Sequence, residues 1–363
     1  MEAVMTETEF WLGFHLVPGI GATRVARLLE HFGSLAAAWE ANVEELRAAG
    51  LSERVAGKLV ATRRRISLER EMERIARAGV SLVTLADPAY PRLLREIPSP
   101  PLLLYVRGTL TPADEHSIGI VGTRRASAYG REMTRRLTGD LVRAGLTIVS
   151  GLARGIDAVA HRTALEMGGR TIAVLGSGVD VIYPPEHRQL AEQVAQQGAL
   201  VSEFPLGTPP DGPNFPVRNR LISGLSLGVV VVEAPRRSGA LITANFAADQ
   251  SRTVYAVPGS AMAPGSEGPL QLLRDGAVLA ASAADILSDL KLTVRQANLE
   301  ARQALPTTSE EADVLHYLDG EPRHIDEIAL ESGLAISRLS ALLLEMQLKG
   351  LVRNVGHQHY VRA

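Results

Sequence analysis

SIGIVGTRRASAYG, residues 117–130, opens the stretch that decides the fold, and TIVSGLARGIDAVAHRTAL, residues 147–165, continues it. Between Ser117 and Ser260, short apolar runs rich in Val and Ile alternate with amphipathic helical segments. Continuous apolar runs indicate strands buried on both faces, so the sequence predicts an α/β fold with a mostly parallel sheet covered by helices. The runs are Ser117–Val121, Leu146–Ser150, Thr171–Leu175, Ala199–Ser202, Gly228–Glu233 and Thr253–Val257.

Small residues and arginines follow several of these runs. Because the carboxyl ends of parallel strands meet at one edge of a sheet, we expect these residues to converge there. Backbone N–H groups at helix starts attract anions, and the arginine fork binds phosphate oxygens, so the pattern predicts a cradle for a phosphate backbone. The candidates are Gly122, Thr123, Arg124, Arg125, Ser150, Gly151, Arg154, Gly155, Gly176, Ser177, Gly178, Arg218, Arg220, Ser238 and Gly239.

Phe215 lies close to Arg218 and Arg220 in the segment FPVRNR, residues 215–220. An unpaired base could stack on its ring while the arginines hold the backbone. The alternative is a core aromatic with surface arginines, just as the glycine segments could be tight turns with exposed arginines. Aromatic residues make up only 4% of the chain, so one beside two arginines favours the binding interpretation.

Three other polar residues have competing interpretations. Asp157 and His161 are four residues apart on one predicted helix face, but no third metal ligand lies nearby. We therefore expect Asp157 to cap the helix start and His161 to pack in the core. Glu233 could be a catalytic acid or a nucleoside ligand. The sequence lacks a P-loop, a complete dinucleotide fingerprint and a nucleophile elbow.

Composition excludes several classes of protein. The 363 residues contain no cysteine, which excludes disulfides, thiolate nucleophiles and cysteine-ligated zinc. No run of apolar residues is long enough for a membrane span, and the acidic N-terminus does not look like a signal peptide. We expect a cytoplasmic protein without a cofactor. The net charge of −2 argues against a uniformly basic nucleic-acid binder but allows local basic patches.

The patterning predicts four segments. Residues 1–76 form a small helical domain, 77–290 the α/β domain, 291–308 a linker and 309–363 a winged helix. Within the first, LVPGIGATRVARLLEHFGS, residues 16–34, resembles a helix-hairpin-helix (or SAM-like) module whose glycine turn could contact a DNA phosphate. A protein-interaction module in which the glycines only permit the turn is the alternative.

The last 55 residues or so have the winged-helix order of helix, helix-turn-helix and β-hairpin. The would-be recognition helix, ISRLSALLLEMQLK, carries only Arg338 and Lys349 as basic residues. A domain that binds duplex DNA normally has more positive charge on that face, so protein binding is an alternative interpretation to duplex binding.

Taken together, the motifs resemble those of the DprA/Smf (DNA-processing protein A) family over residues 90–280. The segments that carry the resemblance are GIVGTRR (119–125), SGLARGIDAVAHRTAL (150–165), AVLGSGVDVIYPPEH (173–187), VSEFPLGTPP (201–210), FPVRNRLISGLS (215–226), VVVEAPRRSGALITANFAADQ (230–250) and AVPGS (256–260).

This resemblance implies an extended Rossmann-like fold and a non-enzymatic single-stranded DNA-binding protein of natural transformation. Such a protein protects incoming strands and loads the RecA recombinase, with single-strand-binding protein as a further candidate partner. It also implies a homodimer whose interface includes Leu272 and Leu273, although the asparagine usual two residues before Leu272 is replaced here by Leu270. The implied DNA pocket includes Gly122, Thr123, Arg124, Arg154, Phe215, Arg218, Asn219, Arg220, Ser238 and Gly239.

Two rival functions remain at this point. A Rossmann-type phosphoribohydrolase of the LOG class would use Glu233 as the acid and Ser238 with Gly239 to hold a phosphate, but its PGGxGT loop is absent from the sequence. A protein-binding adaptor would have no DNA site at all.

Overall fold

The computed structural model describes residues 5–291, 309–318, 322–348, 352–356 and 358–362. The chain divides into two compact units, residues 1–294 and 295–363. All of the predicted linker except Lys291 lies outside the described residues. In the part of the chain that is described, no helix is long and apolar enough to cross a membrane.

The first unit is built on a nine-stranded sheet. Its strands are β1 (Ser81–Thr84), β2 (Leu103–Gly108), β3 (Ser117–Val121), β4 (Thr147–Ser150), β5 (Thr171–Val174), β6 (Ala199–Ser202), β7 (Gly228–Val231), β8 (Thr253–Ala256) and β9 (Val278–Leu279). The strand order is β1-β2-β6-β5-β4-β3-β7-β8-β9. The seven strands from β3 to β9 are parallel to their neighbours, whereas β2 pairs antiparallel with β1 and β6. The predicted parallel sheet is confirmed, and residues 81–108 extend it.

Helices connect the strands and precede them. They are α1 (Glu7–His15), α2 (Ala22–Phe32), α3 (Leu35–Glu40), α4 (Val43–Ala48), α5 (Glu53–Arg63), α6 (Leu68–Arg77), α7 (Arg92–Arg95), α8 (Ala128–Arg143), α9 (Ile156–Glu166), α10 (Arg188–Gln197), α11 (Asn214–Gly224), α12 (Gly239–Asp249), α13 (Glu267–Arg274) and α14 (Ala283–Asp289). Short 3₁₀ turns lie at Pro112–Glu115, Pro185–His187 and Pro264–Ser266.

Apolar side chains cover both faces of the sheet, as the continuous apolar runs predict. In β4, Ile148 packs with α8 and α9 on one face, and Val149 packs with α11 and α12 on the other. A third cluster joins the N-terminal helices to the sheet, since Trp11 and Leu12 share a core with Tyr105 and Ala173. The helices of residues 1–76 therefore pack onto the sheet within the same compact unit.

Local differences from the sequence predictions are small and have physical causes. The segment 261–268, between β8 and the body of α13, shows no periodic pattern in the sequence, yet it forms the 3₁₀ turn at Pro264–Ser266 and the start of α13, with Ser266 buried. Strand β9 was missed because two residues are too few to show a period.

The second unit has the predicted winged-helix elements. They are α15 (Ser309–His316), α16 (Ile325–Ser332), α17 (Ile336–Leu348), and the strands β10 (Arg323–His324), β11 (Val352–Gly356) and β12 (His359–Arg362). The strands form an antiparallel sheet in the order β10-β12-β11. Val314, Ile328, Leu339 and Leu343 are fully buried in its separate core.

Candidate nucleic-acid interface

An open cleft of about 600 Å³ lies at the carboxyl edge of the parallel strands. Most of the predicted cradle residues line it, namely Gly122, Thr123, Arg124, Arg125, Phe215, Arg218, Asn219, Ser238 and Gly239. A smaller adjoining pocket is lined by Arg124, Phe215 and Arg218 again, together with Gly151, Arg154 and Tyr183. The predicted convergence at one edge is therefore observed for Arg124, Arg125, Arg218 and Phe215.

Phe215 lies at the junction of the two pockets. The Cζ atom of Arg124 is 5.5 Å from the centroid of its ring, and Cζ of Arg218 is 6.0 Å away. The ring of Tyr183 lies 5.8 Å away, centroid to centroid, at a tilt of 45°. Gly176 makes room for the ring, because a Cβ there would lie 2.9 Å from Cδ1 of Phe215. The ring thus lies within 6 Å of two guanidinium groups and is partly exposed.

Arg218 is the buried cation of the site, with 5% of its surface exposed. Its Nη1 donates to the carbonyl oxygens of Gly151, at 2.8 Å, and of Val174, and its Nε donates to Oδ1 of Asn219 at 3.2 Å. Burial lowers the pKa of Arg218 to about 10, Asp157 opposes the shift, and Arg124 adds to it. Arg218 therefore stays charged at neutral pH and ties together the ends of β4 and β5.

The loop after β4 already has intrachain partners for its backbone amides. Oδ2 of Asp157 accepts from the N–H of Gly151 at 3.1 Å and of Ala153 at 3.3 Å. Nε2 of His161 accepts from the N–H of Leu152 at 3.3 Å. The amides of Gly151, Leu152 and Ala153 are therefore not free for a phosphate. His161 is fully buried, as predicted, whereas Asp157 caps this loop and not the start of α9, which has no side-chain cap among the described residues. Ser150 is likewise buried, donating from Oγ to the carbonyl oxygen of Ile120 at 2.6 Å.

Glu233 occupies the start of α8. The N–H of Ser127 donates to its Oε2 at 2.9 Å, and Oγ of Ser127 donates to Oε1. Gly130 is required beside it, because a Cβ there would lie 2.1 Å from Oε2. The chain's own carboxylate thus fills the helix start predicted as an anion site after Gly122. Glu233 is itself buried and is not among the described residues that line the cleft.

The start of α12 does open into the cleft. Ser238 caps the helix, accepting at Oγ from the N–H of Ala240 at 3.3 Å, and Nδ2 of Asn219 donates to the carbonyl oxygen of Gly239 at 3.2 Å. Gly239 is exposed, and no atom of the described chain would lie within 4 Å of a Cβ on it. This helix start can receive an anion, and Arg237 lies on the same wall of the cleft.

Two of the predicted arginines lie elsewhere. Arg154 is exposed at the rim of the smaller pocket and pairs with Glu186. Arg220 pairs with Glu203 and donates from Nη1 to the carbonyl oxygen of Ser99 at 2.6 Å. Its placement in the main cleft is wrong, because Phe215, Arg218 and Asn219 are spaced to share one face of α11, whereas Arg220 falls on another.

Leu272 and Leu273, the predicted dimer residues, lie on α13 and are half-buried. Leu272 packs against the core of the sheet. The neighbouring strand β9 is at the edge of the sheet, where 48% of Leu279 is exposed. The structure contains one chain, so the dimer stays a prediction.

Sequence reasoning missed several residues of the site. Arg237 follows a strand like the other arginines, and its position before a helix could have been read as the same signal. Tyr183 contacts Phe215 from a distant part of the chain, so nothing local marked it. Gly176, predicted as part of the phosphate cradle, instead makes room for the ring of Phe215. Among the described residues, no group of three or more His, Cys, Asp or Glu side chains could hold a metal ion.

Comparison with known proteins identifies the family. The model of DNA recombination-mediator protein A matches residues 81–291, and that of the DprA winged helix domain matches residues 299–356. Protein Smf of Synechocystis sp. is 37% identical, over 98% of this chain and 99% of its own.

Two solved structures agree. DNA processing protein A (DprA) from Streptococcus pneumoniae is 31% identical, with a TM-score of 0.68 over 79% of this chain and 98% of its own. DNA processing protein A from Helicobacter pylori, described with a single-stranded DNA binding mode, is 28% identical, with a TM-score of 0.53 over 59% of this chain and 97% of its own. The α/β unit is therefore Rossmann-like, the C-terminal unit is a winged helix, and the chain belongs to the DprA/Smf family of DNA recombination-mediator proteins.

Proposed function

We propose that this chain is a non-enzymatic protein that binds single-stranded DNA in the cleft at the carboxyl edge of its sheet. One observation carries the proposal: Arg124 and Arg218 flank the partly exposed ring of Phe215 inside a single open cleft. Guanidinium groups bind phosphates, and an aromatic face binds a base of any sequence. The Helicobacter pylori relative, described as binding single-stranded DNA, supports the same ligand.

Each wall of the cleft has a part in binding. Exposed Arg124, Arg125 and Arg237 neutralise phosphates, and the N–H at Gly239 donates to a phosphate oxygen at the start of α12. Buried Arg218 adds positive charge behind the surface of the cleft, and its hydrogen bonds hold the ends of β4 and β5 together. Sequence preference is slight, because the cleft offers the backbone more contacts than the base edges.

The stacking position favours an unpaired strand over a duplex. A base in a duplex is stacked on its neighbours and has no free face for Phe215. Arg124 lies over the ring in the free protein, so a stacked base displaces or shares that guanidinium. The net contribution of stacking to binding is therefore the energy of the base–ring contact minus that of the Arg124–ring contact.

The cellular role that we propose follows the family. In natural transformation the chain protects incoming single strands and loads RecA onto them, with single-strand-binding protein as a further partner. We propose a homodimer through α13 and the edge strand β9, supported by the exposed Leu279 and by Met262, of which 91% is exposed. We retain residues 1–76, 77–290, 291–308 and 309–363 as the functional division.

For the winged helix we propose protein binding rather than duplex binding. The exposed surface of α17 carries Ile336 and Leu344, and Arg338 there is paired with Glu310. An apolar surface with its arginine neutralised is poorly suited to a phosphate backbone.

Fluorescence anisotropy with labelled oligo-dT tests the DNA site. Arg124→Ala should weaken binding and lower the log–log salt slope by about 0.7. The matched control is Arg136→Ala, which removes an exposed arginine in the middle of α8, outside the described lining of the cleft. Equal affinity of the two variants would contradict the proposed site.

A separate assay tests the RecA role. The wild-type chain should raise the rate of RecA ATP hydrolysis on single strands coated with single-strand-binding protein, and Arg124→Ala should raise it less. No stimulation by a wild-type chain that binds oligo-dT would reject RecA loading and leave DNA binding intact.

A further inference from the structure

A second cavity, of about 590 Å³, lies between the N-terminal helices and the sheet. The turn between α1 and α2 lines one side of it, with Arg24 and Arg27 on α2. Arg220 and Glu203 line the other side, with the segment Ser99–Leu102. This cavity is thus the place to which the structure brings Arg220 and the glycine turn.

We propose that this cavity is a second phosphate subsite, which holds the same single DNA strand after it leaves the main cleft. The inference rests on the proposed DNA-binding function and extends it to the N-terminal helices. It assigns Arg24, Arg27 and Arg220 as the cations that face the strand.

The two sites share one edge of the sheet. Glu203 follows β6, whose carboxyl end lies beside that of β5, and β2 begins at this edge because it runs antiparallel to β6. Helix α11 connects the sites, with Phe215 in the main cleft and Arg220 in the cavity. Five residues of helix rise about 7.5 Å, close to the length of about two stacked nucleotides at roughly 3.4 Å each. A strand that continues along α11 for a few nucleotides and bends round the helix therefore reaches the cavity.

The charge of the cavity suits a phosphate. Three arginines line it against one carboxylate, that of Glu203, which is already paired with Arg220. Burial raises the pKa of Glu203 and lowers the pKa of His15 to about 4, so His15 is neutral at pH 7. Within residues 5–291, Arg27 has no ion pair or side-chain hydrogen bond. A free cation faces the cavity.

Two further groups suit a nucleotide. The N-cap of helix α2 is Gly21, so the helix has no capping side chain in the described part of the chain, and Ala22 and Thr23 of its first turn line the cavity. Their N–H groups add to the arginine field. Oε1 of Glu203 is buried with no hydrogen-bond partner among the described residues, although its side chain lines the cavity. It is an unused hydrogen-bond acceptor in the wall of the cavity.

The test compares two lengths of labelled oligo-dT, about 6 and about 20 nucleotides, so that only the longer extends beyond the main cleft. Arg27→Ala should weaken binding of the longer oligonucleotide about threefold and lower its salt slope by about 0.7, with the shorter unaffected. Thr23→Glu should weaken the longer about tenfold, yet keep or raise the melting temperature, because an acidic residue in the first turn stabilises a helix. Arg136→Ala is again the matched control.

The outcomes separate this inference from the function on which it rests. If both variants bind the longer oligonucleotide like Arg136→Ala while Arg124→Ala weakens both lengths, the second subsite is rejected and the main cleft stands. If they weaken both lengths equally, the length dependence is absent and the subsite is also rejected. If the wild-type chain binds neither length, both proposals fall together.

Discussion

Replacing Phe215 by leucine separates stacking from simple packing. Leucine keeps an apolar side chain above Gly176, but it has no aromatic face for a base. Stacking on an aromatic contributes about 1–3 kcal/mol per base. The guanidinium of Arg124, 5.5 Å from the ring centroid, contributes about 0.5–1 kcal/mol in the free protein, and a stacked base displaces it. The middle values of the two ranges differ by about 1.3 kcal/mol, so Phe215→Leu should weaken binding roughly eightfold.

Anisotropy titrations of labelled oligo-dT at several salt concentrations measure this effect. The salt slope should be unchanged in Phe215→Leu, because no phosphate contact is removed, whereas Arg124→Ala should lose about 0.7 of slope. Phe215→Tyr keeps the aromatic face and should bind close to the wild type. Wild-type affinity in Phe215→Leu would refute stacking on this ring. A slope that falls as in Arg124→Ala would show instead that the phenylalanine only positions the arginine.

Three other changes have clear expected outcomes. Gly239→Ala should leave the melting temperature unchanged, because its Cβ meets no described atom within 4 Å, yet weaken oligo-dT binding about fivefold by crowding the N–H that faces the cleft; tighter binding would exclude a phosphate there. Gly130→Ala should lower the free energy of unfolding in urea by about 1–3 kcal/mol, because its Cβ would lie 2.1 Å from Oε2 of Glu233. Gly139→Ala on the same helix, with 3.7 Å to the nearest atom, is the control and should change it less. Burial lowers the pKa of His161 from 6.5 to about 3, so the unfolded chain takes up the proton at a higher pH than the folded chain. The free energy of unfolding should therefore fall by about 1.4 kcal/mol for each unit that the pH is lowered from 6.5 to 3. An equally steep fall in His161→Gln would show that other groups cause the pH dependence.

The strands were predictable because each buried run carries its own signal. Ser117–Val121 and Ala199–Ser202 were predicted to the residue, and the other strands of the central stretch to within one or two. The packing of the N-terminal helices on the sheet was not predictable. Contacts such as that of Trp11 with the cluster around Tyr105 join residues far apart in sequence, which periodicity does not register.

The residues of the site were predictable where a polar or charged residue comes shortly after the end of a strand. Arg124 and Ser238 were found in this way. It was not predictable that the N–H of Ser127 already has a hydrogen-bond partner. The carboxylate at the start of α8 belongs to Glu233, which lies 106 residues after Ser127 in the sequence. The misplacement of Arg220 was avoidable, since helical spacing from Phe215 already turns it away.

Glu233 has a consequence for competition inside a cell. In many folds of this shape, a nucleotide docks by placing its phosphate at the first helix after the central strand. Here the protein's own acidic side chain is bound at that place through Ser127. Abundant free mononucleotides therefore lack their customary anchoring point. The remaining arginines are spread along the carboxyl edge of the sheet, an arrangement that suits the proposed polymeric ligand better than a single nucleotide.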